Sequence, residues 1–196
     1  NKSKYDNFWV KKVVSLRGAR KEIWKAKHKE RIEKGRDVML VSKKGQAIKF
    51  SSDDVRDMGR ASYGVTGIKM DGEDKVVSLE IIKDPSSSIL TITGKGYGKR
   101  SKIDDYRKTG RAGKGVINLK INEKTGDVVD TINVGDKDKF VVSTKKGIVI
   151  RTGVKDIRVM GRATSGVRII KLGVGDRVSA IAKLVKDEIK VVEEEK

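Results

Sequence analysis

The sequence VMLVSKKGQAIKFSSDDVRDMGRASYGVTGIKM, residues 38–70, recurs twice farther along the chain. The second copy is ILTITGKGYGKRSKIDDYRKTGRAGKGVINLKI at 89–121, and the third is FVVSTKKGIVIRTGVKDIRVMGRATSGVRIIKL at 140–172. Each copy begins 51 residues after the previous one, and the three align without a gap. The chain is therefore built from a repeated structural unit, and the repeat predicts the fold before any single motif does.

Each copy opens with two runs of β-branched and apolar residues separated by a Lys-Gly pair. A glycine with a positive φ angle closes a tight turn between strands, so each pair predicts a hairpin with Lys44, Lys95 or Lys146 at its tip. The later runs GVTGIKM, GVINLKI and GVRIIKL alternate in character, which predicts another strand with one packed face and one charged face. Repeats of about 51 residues with short strands and glycine-marked turns predict an all-β fold of propeller-like, β-pinwheel blades. A β-sandwich is the other all-β option, but regular repetition favours blades.

The repeats divide the chain into five parts. We expect blades at 37–88, 89–138 and 139–184, a basic extension or remnant of an altered blade at 1–36, and an acidic-ended tail at 185–196. The extension is rich in Ala, Lys, Glu and Arg up to Gly35, which is typical of a helix. The segment KDPSSSI, which contains Pro85, is interpreted as a connection between the first two blades.

Composition favours a polyanionic partner. The 46 Lys and Arg residues outnumber the 27 Asp and Glu residues, for a formal net charge of +19, and nucleic acid is the first candidate partner. A heavily solvated surface from a salt- or heat-adapted cell is the alternative, although such adaptation usually balances the two signs. Aromatic residues make up 5% of the chain and none recurs in the repeat, which argues against stacking on single strands and favours double-stranded DNA.

The same composition excludes several classes of site. With no cysteine and a single histidine, His28, the chain lacks thiolate zinc sites, iron–sulfur clusters, disulfides and cysteine nucleophiles. No apolar run reaches the roughly 18–20 residues that span a bilayer, and no signal-peptide pattern is present. We expect a soluble, cytoplasmic, nucleoid-associated protein with no membrane partner.

Cations recur at fixed positions of the repeat and form the candidate binding surface. Arginine and lysine on a curved rim contact phosphates without reading base edges, which gives affinity with little sequence specificity. The candidate DNA-contacting residues are Lys44, Lys49, Arg56, Arg60, Lys69, Lys95, Arg100, Arg107, Arg111, Lys114, Lys120, Lys146, Arg151, Arg158, Arg162, Arg168 and Lys171.

The repeats do not predict a nucleotide-binding or catalytic site. Neither GKGYGKR nor TGRAGKGV has the spacing of a phosphate-binding P-loop. The pairs Asp53-Asp54 and Asp104-Asp105 lack a histidine or metal cluster, so they are interpreted as turn-capping residues. Tyr106 is interpreted as structural because the other copies have valine and isoleucine at its position.

The segment GYGKRSKIDDYRKTGRAGKGVINLKI, with its partners DVRDMGRASYGVTGIK and DIRVMGRATSGVRIIKL, resembles blades of the carboxy-terminal domain of DNA gyrase A. The resemblance covers residues 37 to about 184 and includes the related topoisomerase IV protein. It implies a six-bladed β-pinwheel whose blades exchange strands and whose basic rim wraps duplex DNA. Three blades do not complete such a disc. The family's supercoiling box, Gln-Arg-Arg-Gly-Gly-Lys-Gly, is matched only partly, by TGRAGKG at 109–115.

This resemblance implies a function without catalysis in the domain itself. It implies that the domain bends and wraps DNA to support negative supercoiling by an ATP-dependent type IIA topoisomerase, an isomerase. It also implies no cofactor in this domain, with ATP and Mg²⁺ bound elsewhere in the parent enzyme. The implied partners are the gyrase B protein and a second gyrase A protein in a heterotetramer. The alternative is a propeller-type interaction module that binds an acidic protein or a chromatin surface.

Overall fold

The computed structural model describes residues 35–56 and 63–184, and within these ranges the fold is all-β. The strands are β1 (Asp37–Ser42), β2 (Gln46–Ser51), β3 (Val76–Ile82), β4 (Ser88–Thr93), β5 (Tyr97–Lys102), β6 (Val116–Ile117), β7 (Val128–Val134), β8 (Lys139–Thr144), β9 (Val149–Gly153), β10 (Val167–Arg168) and β11 (Val178–Leu184). Single 3₁₀ turns cover Ser52–Asp54, Ile103–Asp105 and Val154–Asp156. No helix in the described ranges is both long and apolar enough to cross a membrane.

Several predictions concern segments outside the described residues. Most of the predicted extension at 1–36 and the predicted acidic tail at 185–196 lie outside the described residues. The candidate DNA-contacting residue Arg60 also lies outside them, in the gap at 57–62. Within the described residues, the hairpin prediction is confirmed: Gly45, Gly96 and Gly147 have φ angles of +83°, +80° and +87°.

The strands form three antiparallel sheets, and strand exchange joins them. Their orders are β3-β1-β2-β6, β10-β5-β4-β7 and β11-β8-β9. The second repeat thus gives β6 to the first sheet, where Val116 lies opposite Ala47. The third repeat gives β10 to the second sheet, where Val167 lies opposite Gly98. Strand exchange, implied by the family resemblance, is confirmed, and a blade in space therefore combines parts of two repeats.

The exchanged strands are shorter than the sequence predicts. Each has only two residues, because the chain turns away from the sheet edge immediately afterwards. After β6, the backbone N–H groups of Asn118 and Leu119 both donate to the carbonyl of Gly45, at 2.8 and 3.2 Å. Leu119 is then buried, with 1% of its surface exposed, and Lys120 points outward, as the predicted alternation requires.

The core lies both within and between the repeats. One buried cluster joins side chains of the first sheet to side chains of the second repeat; it contains Met39, Val41, Ala47, Ile82, Ile89, Ile103, Tyr106, Leu119 and Val128. A second cluster joins β4 to the third repeat, through Leu90, Ile92, Phe140 and Val142 among others. Burying one large apolar side chain contributes about 1.5–3 kcal/mol. Adjacent repeats therefore depend on each other for much of their stability.

A buried polar network fixes the segment that follows β6. The Tyr106 hydroxyl donates to Asn118 Oδ1 at 2.5 Å, and Asn118 Nδ2 donates to Thr91 Oγ1 at 3.0 Å. Tyr106 is 1% exposed and Asn118 is fully buried. Burial raises the pKa of Tyr106, because the phenolate would lose its hydration. The structural interpretation of Tyr106 agrees with this placement.

We expect Asn118→Ala to lower the free energy of unfolding by about 2 kcal/mol, since it leaves the hydroxyls of Tyr106 and Thr91 buried without this partner. Urea denaturation measures the change. The double variant Asn118→Ala/Tyr106→Phe is expected to lose less than the sum of the two single variants. Additive losses would show that the hydrogen bond between these two residues contributes nothing.

Candidate nucleic-acid interface

The hairpin-tip lysines are exposed but bound to neighbouring loops. Lys44 Nζ lies 3.0 Å from an Asp127 carboxylate oxygen, and Lys146 Nζ donates to the carbonyl of Val174 at 2.7 Å. Lys95 Nζ likewise donates to a backbone carbonyl, that of Glu123. The ammonium groups of Lys95 and Lys146 are therefore hydrogen-bonded to backbone carbonyls, whereas that of Lys44 is paired with the Asp127 carboxylate.

The cations predicted in the second strand of each repeat are not equivalent. Lys49 is only 8% exposed, and its ammonium donates to the carbonyl of Ile103 at 3.1 Å. Arg100 is 7% exposed and forms an ion pair with Asp136. Arg151 alone is exposed. The following repeat covers the side chains of Lys49 and Arg100. The prediction that these two residues are surface cations is therefore wrong, and both are buried at the junctions between blades.

An arginine follows the 3₁₀ turn of every repeat. The turn is closed by a backbone hydrogen bond of 3.0–3.1 Å in each repeat, which fixes where the arginine leaves the backbone. Arg56, Arg107 and Arg158 are all exposed, and none has an ion-pair partner among the described residues. Three unpaired guanidinium groups therefore stand at equivalent positions.

The Gly-Arg arginines connect neighbouring repeats. Arg111 is half-buried, with Nε donating to the carbonyl of Asp54 at 3.0 Å and Nη1 to that of Thr66 at 3.1 Å. Arg162 repeats part of this arrangement, with Nη1 donating to the carbonyl of Ile117 at 3.3 Å. These guanidinium groups form hydrogen bonds between neighbouring repeats, and their remaining N–H groups are able to donate to a phosphate.

A lysine follows β6, β10 and the equivalent segment of the first repeat. Lys69, Lys120 and Lys171 are exposed and have no ion-pair partner in the part of the chain that the structure describes. The backbone of the first two is anchored to the next repeat, since Lys69 N donates to Gly113 O at 2.9 Å and Lys120 N to Thr164 O at 3.0 Å. Rigid backbone here lowers the entropy lost when a phosphate binds.

At the junction of the first two repeats, cations from both lie together. Lys44, Lys69 and Lys114 line one surface depression. Lys114 also lines an adjoining depression with Arg107. Asp71, 3.7 Å from the Lys114 ammonium, offsets part of this charge. Asp74 also lines the first depression, so the two depressions bring cations of both repeats together beside two carboxylates.

The second junction has a different composition. Serine, Ser165, replaces lysine at the position of Lys114. Arg168 lies over the Tyr97 ring, 5.5 Å from its centre, and donates through Nη2 to the Tyr97 hydroxyl at 3.0 Å. This hydrogen bond lowers the pKa of Tyr97. Lys124 lies over the same ring, at 5.6 Å. Alignment of the three repeats did not predict Tyr97 and Lys124, because neither residue recurs in the other repeats.

Lys99 was also missed, because isoleucine occupies its position in the other two repeats. It is 1% exposed, and its ammonium donates to the carbonyls of Gly161, at 2.7 Å, and Arg162, and to Thr164 Oγ1 at 3.3 Å. Burial lowers the pKa of Lys99 from 10.5 to about 8. Lys99 thereby holds the loop that carries Arg162.

The lowered pKa predicts how Lys99 affects stability with pH. Between pH 8 and 10.5 the unfolded chain keeps the Lys99 proton that the folded chain releases, so the free energy of unfolding rises with pH in this window. We expect it to rise by about 1–2 kcal/mol more in the native protein than in Lys99→Met. Urea denaturation of both proteins at several pH values measures this; parallel pH profiles would contradict the assignment.

Comparison with known proteins agrees with the repeat and the blade architecture. The family model for the DNA gyrase C-terminal domain, a beta-propeller, matches residues 36–83, 87–134 and 138–184. The DNA gyrase A protein of Salmonella typhimurium is 44% identical over 155 residues, covering 78% of this chain and 18% of the relative. The gyrase A protein of Chlamydia pneumoniae is 41% identical over 152 residues, covering 77% and 18%. The chain thus spans about a fifth of these relatives' length.

Solved structures give the same result. A DNA gyrase A C-terminal domain superposes with a TM-score of 0.74 at 29% identity, covering 79% of this chain and 52% of that one. The C-terminal domain of a DNA topoisomerase IV gives a TM-score of 0.72 at 26% identity, covering 76% and 46%. Since the family model matches well over half of the sequence in three consecutive repeats, this chain belongs to the DNA gyrase C-terminal domain family.

Proposed function

We propose that this chain is a non-catalytic DNA-binding domain of an ATP-dependent type IIA topoisomerase, and that it bends and wraps duplex DNA around its basic surface. The observation that carries the proposal is a column of exposed arginines, Arg56, Arg107 and Arg158, one in each repeat at the same position and none with an ion-pair partner among the described residues. Their regular placement offers phosphate contacts at each blade in turn.

The charge of the surface supports duplex binding without base readout. Each arginine of the column follows a 3₁₀ turn closed by a backbone hydrogen bond, and the backbone of Lys69 and Lys120 is hydrogen-bonded to the next repeat. Bending 20–30 base pairs by 40–90° costs about 1–6 kcal/mol, which further phosphate contacts offset. We therefore assign the chain's selectivity to DNA bendability. Lys49 and Arg100 are left out of the proposed contacts because they are buried.

Membership of the family supports a proposal about the parent assembly. We propose that the domain acts beside the gyrase B protein and a second gyrase A protein, with ATP and Mg²⁺ bound elsewhere in that assembly. The proposed role in negative supercoiling rests on the family alone, because TGRAGKG at 109–115 matches only part of the family's supercoiling box.

Binding to bare linear duplex tests the proposal. We expect affinity for a duplex of arbitrary sequence to fall by at least about a thousandfold between about 50 and 200 mM salt, because counterions are released from several neutralised phosphates. Binding that is independent of salt, or that requires an acidic protein, would overturn it.

A further inference from the structure

Residues 161–165, here called the junction loop, lie over a buried lysine of the preceding repeat. Lys99 is 1% exposed, and its ammonium has three acceptors in the loop: the carbonyls of Gly161 and Arg162 and the hydroxyl of Thr164. An ammonium group carries three N–H donors, one for each of these acceptors. A single buried side chain therefore holds the junction loop from beneath.

The first junction is built differently at the same positions. Ile48 stands at the position of Lys99 and is 2% exposed, and Gly113 stands at the position of Thr164. A Cβ atom on Gly113 would lie 3.5 Å from Ile48 Cδ1, so the glycine packs directly over the isoleucine. The polar pair Lys99 and Thr164 thus replaces an apolar contact, and it gives the second junction a property that the first one lacks.

The hydrogen bonds to Lys99 determine which way the peptide groups of the junction loop face. In a trans peptide group the C=O and the N–H point in opposite directions, and no peptide bond of the described residues is cis. Because the carbonyls of Gly161 and Arg162 point toward the Lys99 ammonium, the N–H groups of Arg162 and Ala163 point away from it. Neither N–H has a hydrogen-bond partner in the described part of the chain. Successive backbone N–H groups that face the same way in a turn bind anions.

The first junction does not have this pair of N–H groups. There the Ala112 N–H donates to the carbonyl of Gly67 at 2.7 Å. Ala112 also has a φ angle of +65°, whereas its counterpart Ala163 is not among the described residues with a positive φ. The two loops therefore differ in backbone conformation, and the outward N–H groups belong to the second junction.

Cations accompany these N–H groups. Arg162 Nη1 donates to the carbonyl of Ile117 at 3.3 Å, and its guanidinium keeps further N–H donors. Lys120 is exposed, and its backbone N–H donates to the carbonyl of Thr164 in the junction loop at 3.0 Å. Within residues 35–56 and 63–184, neither Arg162 nor Lys120 forms an ion pair. The outer side of the junction loop is thus suited to an anion.

We propose that Lys99 is a positioning residue for DNA binding. By holding two carbonyls of the junction loop inward, it presents the N–H groups of Arg162 and Ala163, together with the Arg162 guanidinium, to one backbone phosphate of a duplex. Lys99 itself is buried and does not touch the phosphate. A loop that is ordered before binding loses less conformational entropy when the phosphate arrives. This inference rests on the proposed function, because it assigns one of the phosphate contacts of the duplex.

Lys99→Met removes the ammonium and keeps an unbranched side chain. We expect its affinity for linear duplex to be about tenfold lower than that of the native chain, because the junction loop must then be ordered during binding. Lys102→Gln is the control for loss of one charge: Lys102 lies on the same strand and is exposed, and we expect a loss of less than about twofold. Fluorescence anisotropy measures both. If the native chain binds duplex and the two variants bind equally well, this proposal is overturned while the proposed function stands.

A second variant covers the case in which Lys99→Met folds poorly. Lys99→Ile/Thr164→Gly introduces the residue pair that packs at the first junction, Ile48 and Gly113, and circular dichroism checks that it is folded. We expect its affinity for duplex to stay about tenfold below that of the native chain, since its loop is packed without the inward carbonyls. Native affinity in this double variant would show that any packed junction suffices, and would overturn the role of Lys99.

The pH profile of affinity separates the ammonium from simple packing. Burial lowers the pKa of Lys99 to about 8, while the Asp105 carboxylate raises it and the Arg162 guanidinium lowers it by smaller amounts. Above this pH the neutral amine has two N–H donors for three acceptors. We expect native affinity to fall about two- to tenfold between about pH 7 and about pH 9, with no such fall in Lys99→Met. Other groups, Tyr97 among them, titrate in both proteins. Parallel profiles would overturn the proposal.

Hydrogen exchange without DNA tests the loop independently of the proposed function. The Lys120 N–H donates to the carbonyl of Thr164, and the Lys69 N–H makes the equivalent bond to Gly113 at the first junction, at 2.9 Å. In Lys99→Met we expect the Lys120 amide to exchange at least about tenfold faster than in the native chain, and the Lys69 amide to be unchanged. Unchanged exchange at Lys120 would show that Lys99 does not hold the loop, and would overturn the proposal even if the chain binds DNA.

Discussion

Gly96→Ala is expected to lower the free energy of unfolding by about 2–5 kcal/mol. The left-handed backbone at Gly96, with φ +80°, costs a residue with a Cβ atom about 1–2 kcal/mol. The added methyl group would also lie 2.6 Å from the carbonyl oxygen and 2.8 Å from Cγ2 of Ile170, and relieving that overlap costs about 1–3 kcal/mol more. Urea denaturation at low protein concentration measures the loss.

Gly147→Ala is the matched control for Gly96→Ala. Its φ angle is +87°, so the backbone cost is the same, but its methyl group meets nothing within 4 Å. We expect a loss of only about 1–2 kcal/mol. The difference between the two variants isolates the contact with the exchanged segment of the following repeat. Equal losses would show that this segment is not packed at Gly96 as the structure has it.

The second large effect is expected on DNA affinity, when four exposed cations of the repeat columns are neutralised together. The substitutions are Arg107→Gln, Arg158→Gln, Lys120→Gln and Lys171→Gln. If each contacts one phosphate, the slope of log affinity against log salt becomes shallower by about 3–4, and affinity for linear duplex falls about a thousandfold at low salt. Fluorescence anisotropy at several salt concentrations measures both quantities.

A control with the same loss of charge separates contact from overall attraction. Lys75, Lys102, Lys137 and Lys155 are exposed and lie outside the cation columns. Changing all four to Gln removes the same number of positive charges. We expect affinity for linear duplex to fall by less than about tenfold, because only long-range attraction weakens. If both sets of substitutions reduced affinity equally, the columns would have no special role.

The hairpins and the inward positions could be predicted from the sequence because they follow from local chemistry. A Lys-Gly pair between β-rich runs fixes the turn, and alternation places Leu119 inside and Lys120 outside. The length of the exchanged strands could not be predicted this way. The two hydrogen bonds that end β6 reach back to Gly45 in another repeat, and no local pattern encodes them.

The candidate surface was predictable only where exposure is a property of the repeat itself. Arg107 and Arg158 are exposed because both follow a 3₁₀ turn at the outside of the fold. Lys49 and Arg151 occupy equivalent positions, yet only Lys49 is buried, because the following repeat covers it. Lys99 could not be predicted from the repeat, because the equivalent residues of the other repeats are apolar. Its ammonium is buried and donates to carbonyls of the third repeat.

Wrapping is tested most directly by the topology of closed circular DNA. Nicked plasmid sealed by ligase in the presence of the chain records any writhe or twist that the bound protein imposes. We predict a shift in the mean linking number that grows with the protein-to-DNA ratio, and that is lost in the variant lacking Arg107, Arg158, Lys120 and Lys171 but kept in its charge-matched control. Full binding of the plasmid with no shift in linking number would contradict wrapping.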